Sequence, residues 1–243
     1  MATPRFYCPM PMAVGKRVLL PEAVSRHALG ALRLRNGDAV ILFNGDGRDY
    51  AGTLGRDGRG VWVDIAERTP VDRESPLEVT LIQGVSSGER MDFTLQKAVE
   101  LGVTAIRPVM MLRTVVRLDE EKRLRRHAHW QGVVMAACEQ CGRAALPALE
   151  AIEDFPDWLA AYRNRPVRKL IMDPASAQTL ADLPAPDGPV WLLVGPEGGF
   201  DPAEREVALA SGFVPIRLGP RILRTETVAL AALAAMQTLW GDY

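Results

Sequence analysis

Two successive rhythms in the hydrophobic pattern predict an α/β protein in two parts, a small β-barrel followed by a domain built on a mainly parallel sheet. Between Val18 and Ala66, short β-rich runs are separated by Gly/Asp/Asn turns, whereas beyond Leu77 apolar runs alternate with helical stretches. Thr69-Pro70-Val71-Asp72-Arg73-Glu74-Ser75-Pro76 is polar and twice broken by proline. It marks the boundary between domains at 1–70 and 77–243.

In the first part, residues 22–32 read as a helix, and 39–43, 49–54 and 60–65 as strands. Asn44-Gly45-Asp46-Gly47 and Arg56-Asp57-Gly58-Arg59 are rich in residues for which positive φ is cheap, as reversing turns require. The second part runs strand 77–83, helix 89–101, strand 105–110, helix 120–140, strands 169–172 and 190–194, helix 202–210, strand 214–218 and helix 226–240. Ser86 and Glu89 have capping-box spacing, Met91, Leu95, Ala98 and Val99 share one helical face, and Gly102 stands where a helix-ending glycine would. Asp201-Pro202 offers a cap and a first-turn proline to the next helix.

With 48% apolar residues in 243, the chain can bury a proper core. Its formal charge is −1, but the first 70 residues hold ten Lys/Arg against seven Asp/Glu. That excludes a histone-like blanket of charge and leaves room for local arginine clusters that hold phosphates. The longest uncharged apolar run, 228–236, is far too short for a membrane span, and the proline-broken first twelve residues do not read as a secretory signal. Three cysteines, Cys8, Cys138 and Cys141, fit reduced thiols in a cytoplasm better than a disulfide framework. Cys138-Glu139-Gln140-Cys141 has zinc-like spacing, but it has no second pair and lies in a helical run, so no metal is expected. His127, His129 and the basic stretch 122–126 read as a polar helix face, solvated or turned toward phosphates.

Two stretches near the C-terminus concentrate the chemistry: Val194-Gly195-Pro196-Glu197-Gly198-Gly199-Phe200 and Leu218-Gly219-Pro220-Arg221-Ile222-Leu223-Arg224-Thr225-Glu226-Thr227. Each leaves the end of a predicted strand, where open α/β sheets bind ligands. The first matches neither the dinucleotide fingerprint nor a P-loop, and alone it could be only a tight turn. What it offers is close backbone approach to a ligand, with the Glu197 carboxylate beside it. In the second, Gly219-Pro220 stiffens the strand exit, Arg221 and Arg224 add fixed charge, and Thr225 is placed to cap the next helix. Alone it could be a capped helix start with two solvated arginines. Together the two loops would wall one pocket.

These loops, with Arg5-Phe6-Tyr7, the stretch 27–38 (HALGALRLRNGD), the stretch 96–103 (QKAVELGV), Arg113, and Glu139-Gln140-Cys141-Gly142-Arg143 followed by Pro147, resemble the RsmE-type ribosomal RNA methyltransferases of the SPOUT superfamily. The resemblance covers nearly the full length. It implies an N-terminal PUA-like barrel that helps hold RNA, a C-terminal SPOUT α/β domain with a deep trefoil knot, and a homodimer with active sites at the subunit interface. It further implies S-adenosylmethionine as cofactor and methylation of N3 of a uridine in 16S rRNA of the small ribosomal subunit. Val194, Gly195, Pro196, Glu197, Gly198, Leu218, Gly219, Ile222, Leu223 and Thr225 are then the expected cofactor pocket. The family usually shows two adjacent histidines where this chain has Arg26-His27, and often a lysine near Ser87.

Uridine N3 carries a proton that must leave before N3 becomes a good nucleophile, so a base or a cation that stabilises the uridinate is required. Arg224 is the candidate cation, and Glu226 and Glu197, the only carboxylates in the two loops, are the candidate proton acceptors. Arg5, Arg33, Arg35, Arg113 and Arg143 are expected to position RNA, since a forked guanidinium suits phosphate oxygens. A related enzyme acting on tRNA, or an inactive RNA-binding assembly factor with a vestigial pocket, stands as the alternative.

Overall fold

A computed structural model describes residues 3–243, which form two compact units: the chain up to Glu74 together with Met135–Leu146, and Ser75–Val134 together with Pro147–Tyr243.

The first unit is a five-stranded sheet in the order β1-β3-β4-β5-β2, with β1 Arg5–Tyr7, β2 Arg17–Leu19, β3 Ala39–Phe43, β4 Arg48–Asp57 and β5 Gly60–Pro70. Among the described residues of this unit only β1 and β3 pair in parallel; the other contacts are antiparallel, and β4–β5 is a long hairpin. Alternate residues of β4 and β5, among them Tyr50, Leu54, Val61, Val63 and Ile65, point into a core shared with Phe6, Val40 and Leu42. That period of two is what a half-buried strand requires. The expected helix at 22–32 is α1, Glu22–Arg26, running into a single π turn at His27–Ala31. Residues 135–146 are tied into this unit by polar bonds. Arg5 Nη1 donates to Cys138 O (2.9 Å), Tyr7 N donates to Glu139 Oε1 (2.9 Å), and Arg143 pairs with Glu74.

The second unit is a parallel sheet in the order β12-β10-β11-β6-β7-β8, with β9 beside β7. Its strands are β6 Val79–Gly84, β7 Ala105–Met110, β8 Ala148–Leu149, β9 Glu153–Asp154, β10 Arg168–Met172, β11 Val190–Val194 and β12 Val214–Ile216. Its helices are α2 Gly88–Glu100, α3 Glu120–Cys141, whose last turns belong to the first unit, α4 Phe155–Tyr162, α5 Pro202–Ala210 and α6 Thr225–Trp240. β11 is buried throughout and β6 nearly so, the continuous apolar run of a sheet covered on both faces. Trp158 of α4 stacks on Phe155 and meets the rings of Trp191 and Phe213 at a tilt over one part of that sheet. Strand order reverses between β6 and β11, so a crevice is expected at their C-terminal ends.

Three cap expectations meet different outcomes. Asp201 caps α5, its side chain accepting from Ala203 N. The Ser86–Glu89 box does not form: the N-cap of α2 is Ser87, whose backbone N–H and hydroxyl are both committed elsewhere. Thr225 is not the cap of α6 either, because it is the helix's first residue, with Arg224 at the cap, and its hydroxyl is used across the sheet.

Candidate active site

A cavity of about 520 Å³ opens at the C-terminal ends of β10, β11 and β12. That volume lies within the range of small-molecule cofactor sites. Its walls are the two loops singled out from the sequence, contributing Val194, Gly195, Pro196 and Glu197 on one side and Leu218, Gly219, Ile222 and Leu223 on the other. Arg224, Thr225 and Glu226 line it where α6 begins. Gly198 is the exception among the expected pocket residues. It packs away from the cavity against Arg113, where an added Cβ would stand 2.7 Å from Arg113 O.

The walls are held together by a short buried chain of hydrogen bonds. The Thr225 hydroxyl donates to Gly195 O (2.6 Å) and accepts from Gln83 Nε2 (2.9 Å), so the start of α6 is bonded to the loop after β11 and to the end of β6. Here the polar atoms lie in low-dielectric surroundings, where each lost partner is costly.

Glu197 is locked into the scaffold. Its Oε1 accepts from Ser87 N (2.7 Å), Ser87 Oγ (2.7 Å) and Arg90 Nη1 (3.3 Å). Burial opposes the charge, but the two Ser87 bonds and Arg90 outweigh it and hold the carboxyl below its ordinary value of 4.5. The sign follows from linkage: a depressed carboxyl stabilises the fold above its unfolded pKa, and that contribution is lost as pH falls through the folded value. Thermal melts taken downward from about pH 6 should therefore show a steeper acid loss below the ordinary carboxylate value in wild type than in E197Q. Parallel acid limbs would show that the Ser87–Glu197 contacts do not stabilise the fold.

Glu226 is placed differently. It lines the cavity in the first turn of α6 and is engaged by no donor among the described residues; its Oε2, like Glu197 Oε2, is buried without a hydrogen-bond partner. Arg224, next to it, is exposed at the cavity.

Several lining residues lie outside the expected set: Arg90, Met172, Asp173, Phe200, Arg205 and Arg217. Asp173 is buried and accepts from Arg205 Nε (2.8 Å) and Nη2 (2.6 Å). Asp173-Pro174 directly follows an apolar strand, the same strand-end signature that marked the other two loops, and it could have been found by that signature.

The five arginines expected to meet RNA are placed unequally. Arg33 and Arg35 are exposed on the loop after the π turn, and Arg33 (φ 55°) is the only non-glycine residue at positive φ among the described residues. Arg113 is half-exposed, with Nη1 donating to Gly198 O (3.5 Å) and Nε 3.8 Å from Asp201. Arg5 and Arg143 point inward instead. The Arg5 side chain is 9% exposed and pairs with Asp49 at 2.6 Å, and Arg143 is buried against Glu74, so both knit residues 135–146 into the first unit and present no guanidinium to a phosphate. The Cys138 thiol is buried, donates to Ala145 O (3.9 Å) and is pushed up to about 12 by burial. No helix among the described residues is long and apolar enough to cross a membrane.

Comparison with known proteins agrees with this geometry. A family model described as RNA methyltransferase domain matches residues 73–237, and one described as RNA methyltransferase PUA domain matches residues 20–65. Ribosomal RNA small subunit methyltransferase E of Buchnera aphidicola (subspecies Schizaphis graminum) is 32% identical over 98% of this chain and 97% of its own length. The Bacillus subtilis protein of the same name is 32% identical over 89% of each chain. Among solved structures, ribosomal RNA small subunit methyltransferase E of Neisseria gonorrhoeae bound to S-adenosyl methionine is 44% identical with a TM-score of 0.91, and the two chains cover each other fully. A putative methyltransferase of Legionella pneumophila, in complex with bound SAM, is 38% identical with a TM-score of 0.95, again over both whole chains. The likeness runs along the full length, through both the methyltransferase and the PUA regions, and the chain belongs to the ribosomal RNA small subunit methyltransferase E family.

Proposed function

We propose that this protein methylates N3 of a uridine in 16S rRNA of the small ribosomal subunit, using S-adenosylmethionine, and that it works in the cytoplasm as a homodimer with the knotted chain path its family resemblance implies. The observation that carries the assignment is the cavity closed by the Thr225–Gly195 bond, whose walls are the two strand-end loops. Its residues fit the cofactor. Val194, Leu218 and Leu223 offer apolar surface for a flat ring, Gly195 and Gly219 offer unobstructed backbone, and carboxylates near the site suit a cationic group. When bound, S-adenosylmethionine would supply an electrophilic methyl carbon on a sulfonium, with the neutral thioether of S-adenosylhomocysteine as the leaving group.

The chain's own residues prepare the nucleophile. Glu226, with a buried oxygen that has no partner, accepts the N3 proton, and the N3 lone pair is then free to form the bond to the methyl carbon as the carbon–sulfur bond breaks. Arg224 offsets the charge that develops on the uracil. Glu197, already engaged by Ser87 and Arg90, shapes the loop rather than taking the proton. Arg33, Arg35 and Arg113 hold phosphates of the RNA in this reading, which their exposure supports. Exposed apolar side chains on the second unit, Leu112, Val115 and Ile222, support burial against a second copy.

Incubation with small-subunit RNA and methyl-labelled cofactor, followed by nucleoside mass spectrometry, is expected to yield N3-methyluridine. Label in ribose or in tRNA alone would refute the assignment. Joint replacement of Arg33 and Arg35 by Ala should weaken RNA binding and flatten its log–log salt slope by about 2, with cofactor affinity retained. An unchanged slope would remove both arginines from the RNA surface.

A further inference from the structure

Gln83 is fully buried at the end of β6 and does not line the cavity, yet it is the hub of the bonds that join the cavity walls. Its Nε2 donates to Gly84 O (3.0 Å) and to Thr225 Oγ1 (2.9 Å), and Thr225 in turn donates to Gly195 O (2.6 Å). The direction of each bond is forced. Gly84 O and Gly195 O can only accept, so the Thr225 proton goes to Gly195, its oxygen accepts from Gln83, and the Gln83 amide must face them with nitrogen. The orientation leaves Gln83 Oε1 buried without a partner. An orphaned acceptor is destabilising, and a side chain chosen for packing alone would avoid it, as methionine does at similar length. The polar group is therefore there for the two bonds it donates.

We propose that Gln83 is a positioning residue for the cofactor pocket: acting through Thr225, it fixes the loop after β11 and the loop entering α6 at one spacing, and so sets affinity for S-adenosylmethionine. The inference rests on the cofactor assignment above. Without the Gln83 donor, the Thr225 hydroxyl is free to rotate from Gly195 toward other acceptors, and the two walls lose their common anchor. The loss falls on cofactor binding rather than on the chemical step, because Gln83 touches neither Glu226 nor Arg224 in the bonds it makes.

The test is calorimetry with S-adenosylmethionine on the full chain, paired with steady-state kinetics. Q83M should raise the cofactor Kd and KM about tenfold, the cost of one buried hydrogen bond, with a much smaller change in kcat. T225V should lose at least as much, T225S, which keeps the hydroxyl, should lose less, and Q83M/T225V should bind no more weakly than T225V alone. Losses that add in the double variant, or a Q83M protein that binds as wild type does, overturn the role of Gln83 while leaving the cofactor assignment intact. Failure of the wild-type chain to bind S-adenosylmethionine overturns the assignment itself. Should Q83M not fold, equal affinities for T225S and T225V overturn the network.

Discussion

Replacing Glu226 by glutamine is expected to lower kcat by about two to four orders of magnitude at neutral pH while leaving S-adenosylmethionine bound. Glutamine keeps the shape and the helix position but cannot take a proton. The wild-type pH–rate profile should show an acid limb from the carboxyl that must be ionised to receive the N3 proton, and E226Q should lose that limb. Its residual rate should rise with pH as the uracil ionises without help. Two competing roles make different predictions. A carboxylate that merely favours the N-terminal end of α6 would contribute a few tenths to about 1 kcal/mol of stability, and its loss would leave the acid limb in place. If Glu197 were the base, E197Q would remove the limb instead. Each carboxylate keeps a buried Oε2 without a partner, and what separates them is the other oxygen: Glu197 Oε1 already has three donors around it, whereas no donor among the described residues engages Glu226. An E226Q enzyme that retains both rate and acid limb would pass the proton to another group.

The two strand-end loops were legible because local chemistry marks them: glycine and proline punctuate the exit of an apolar run, and charged residues follow. β7, β11 and α5 fall at the expected residues for the same reason, each bounded by its own turn or cap. What was not legible depends on distant partners. Thr225 has a good capping residue's side chain, but a carbonyl thirty positions earlier is the better-placed acceptor in the folded sheet. Ser87 likewise gives its N–H and hydroxyl to Glu197, not to a box within its own helix. Arg5 and Arg143 look like free cations in sequence, but β4 brings Asp49 to Arg5, and the packing of residues 135–146 in the first unit brings the Cys138 carbonyl to Arg5 and Arg143 to Glu74. Gln83 gave no signal at all, because a lone glutamine ending an apolar strand has no local pattern. Its significance comes from the order β11-β6 in the sheet, which parallel pairing over long crossovers creates.

That pairing also explains why Gly84→Ala should be one of the most damaging single-methyl additions to the chain. Gly84 ends β6 in ordinary strand conformation, so alanine meets no backbone penalty there, and the effect is purely one of space. An added Cβ would stand 2.5 Å from Pro196 N, 2.6 Å from Pro196 Cδ and 2.9 Å from the Gly195 carbonyl carbon. None of these atoms is the end of a flexible side chain; they are backbone and a closed ring, so the loop must move as a body. Overpacking of this kind costs about 1–3 kcal/mol. The loop's natural relief is to shift away from β6, which stretches the 2.6 Å Thr225–Gly195 bond and opens the wall at Val194–Glu197. G84A should therefore unfold at lower denaturant and bind S-adenosylmethionine at least about tenfold more weakly, the two losses sharing one cause. Gly132→Ala supplies the contrast, since nothing lies within 4 Å of its added Cβ and its helical setting favours alanine. A G84A protein with wild-type stability and wild-type cofactor affinity would mean that the end of β6 does not set the position of the Gly195-Pro196-Glu197 wall, and the pocket would then owe its shape to the α6 side alone.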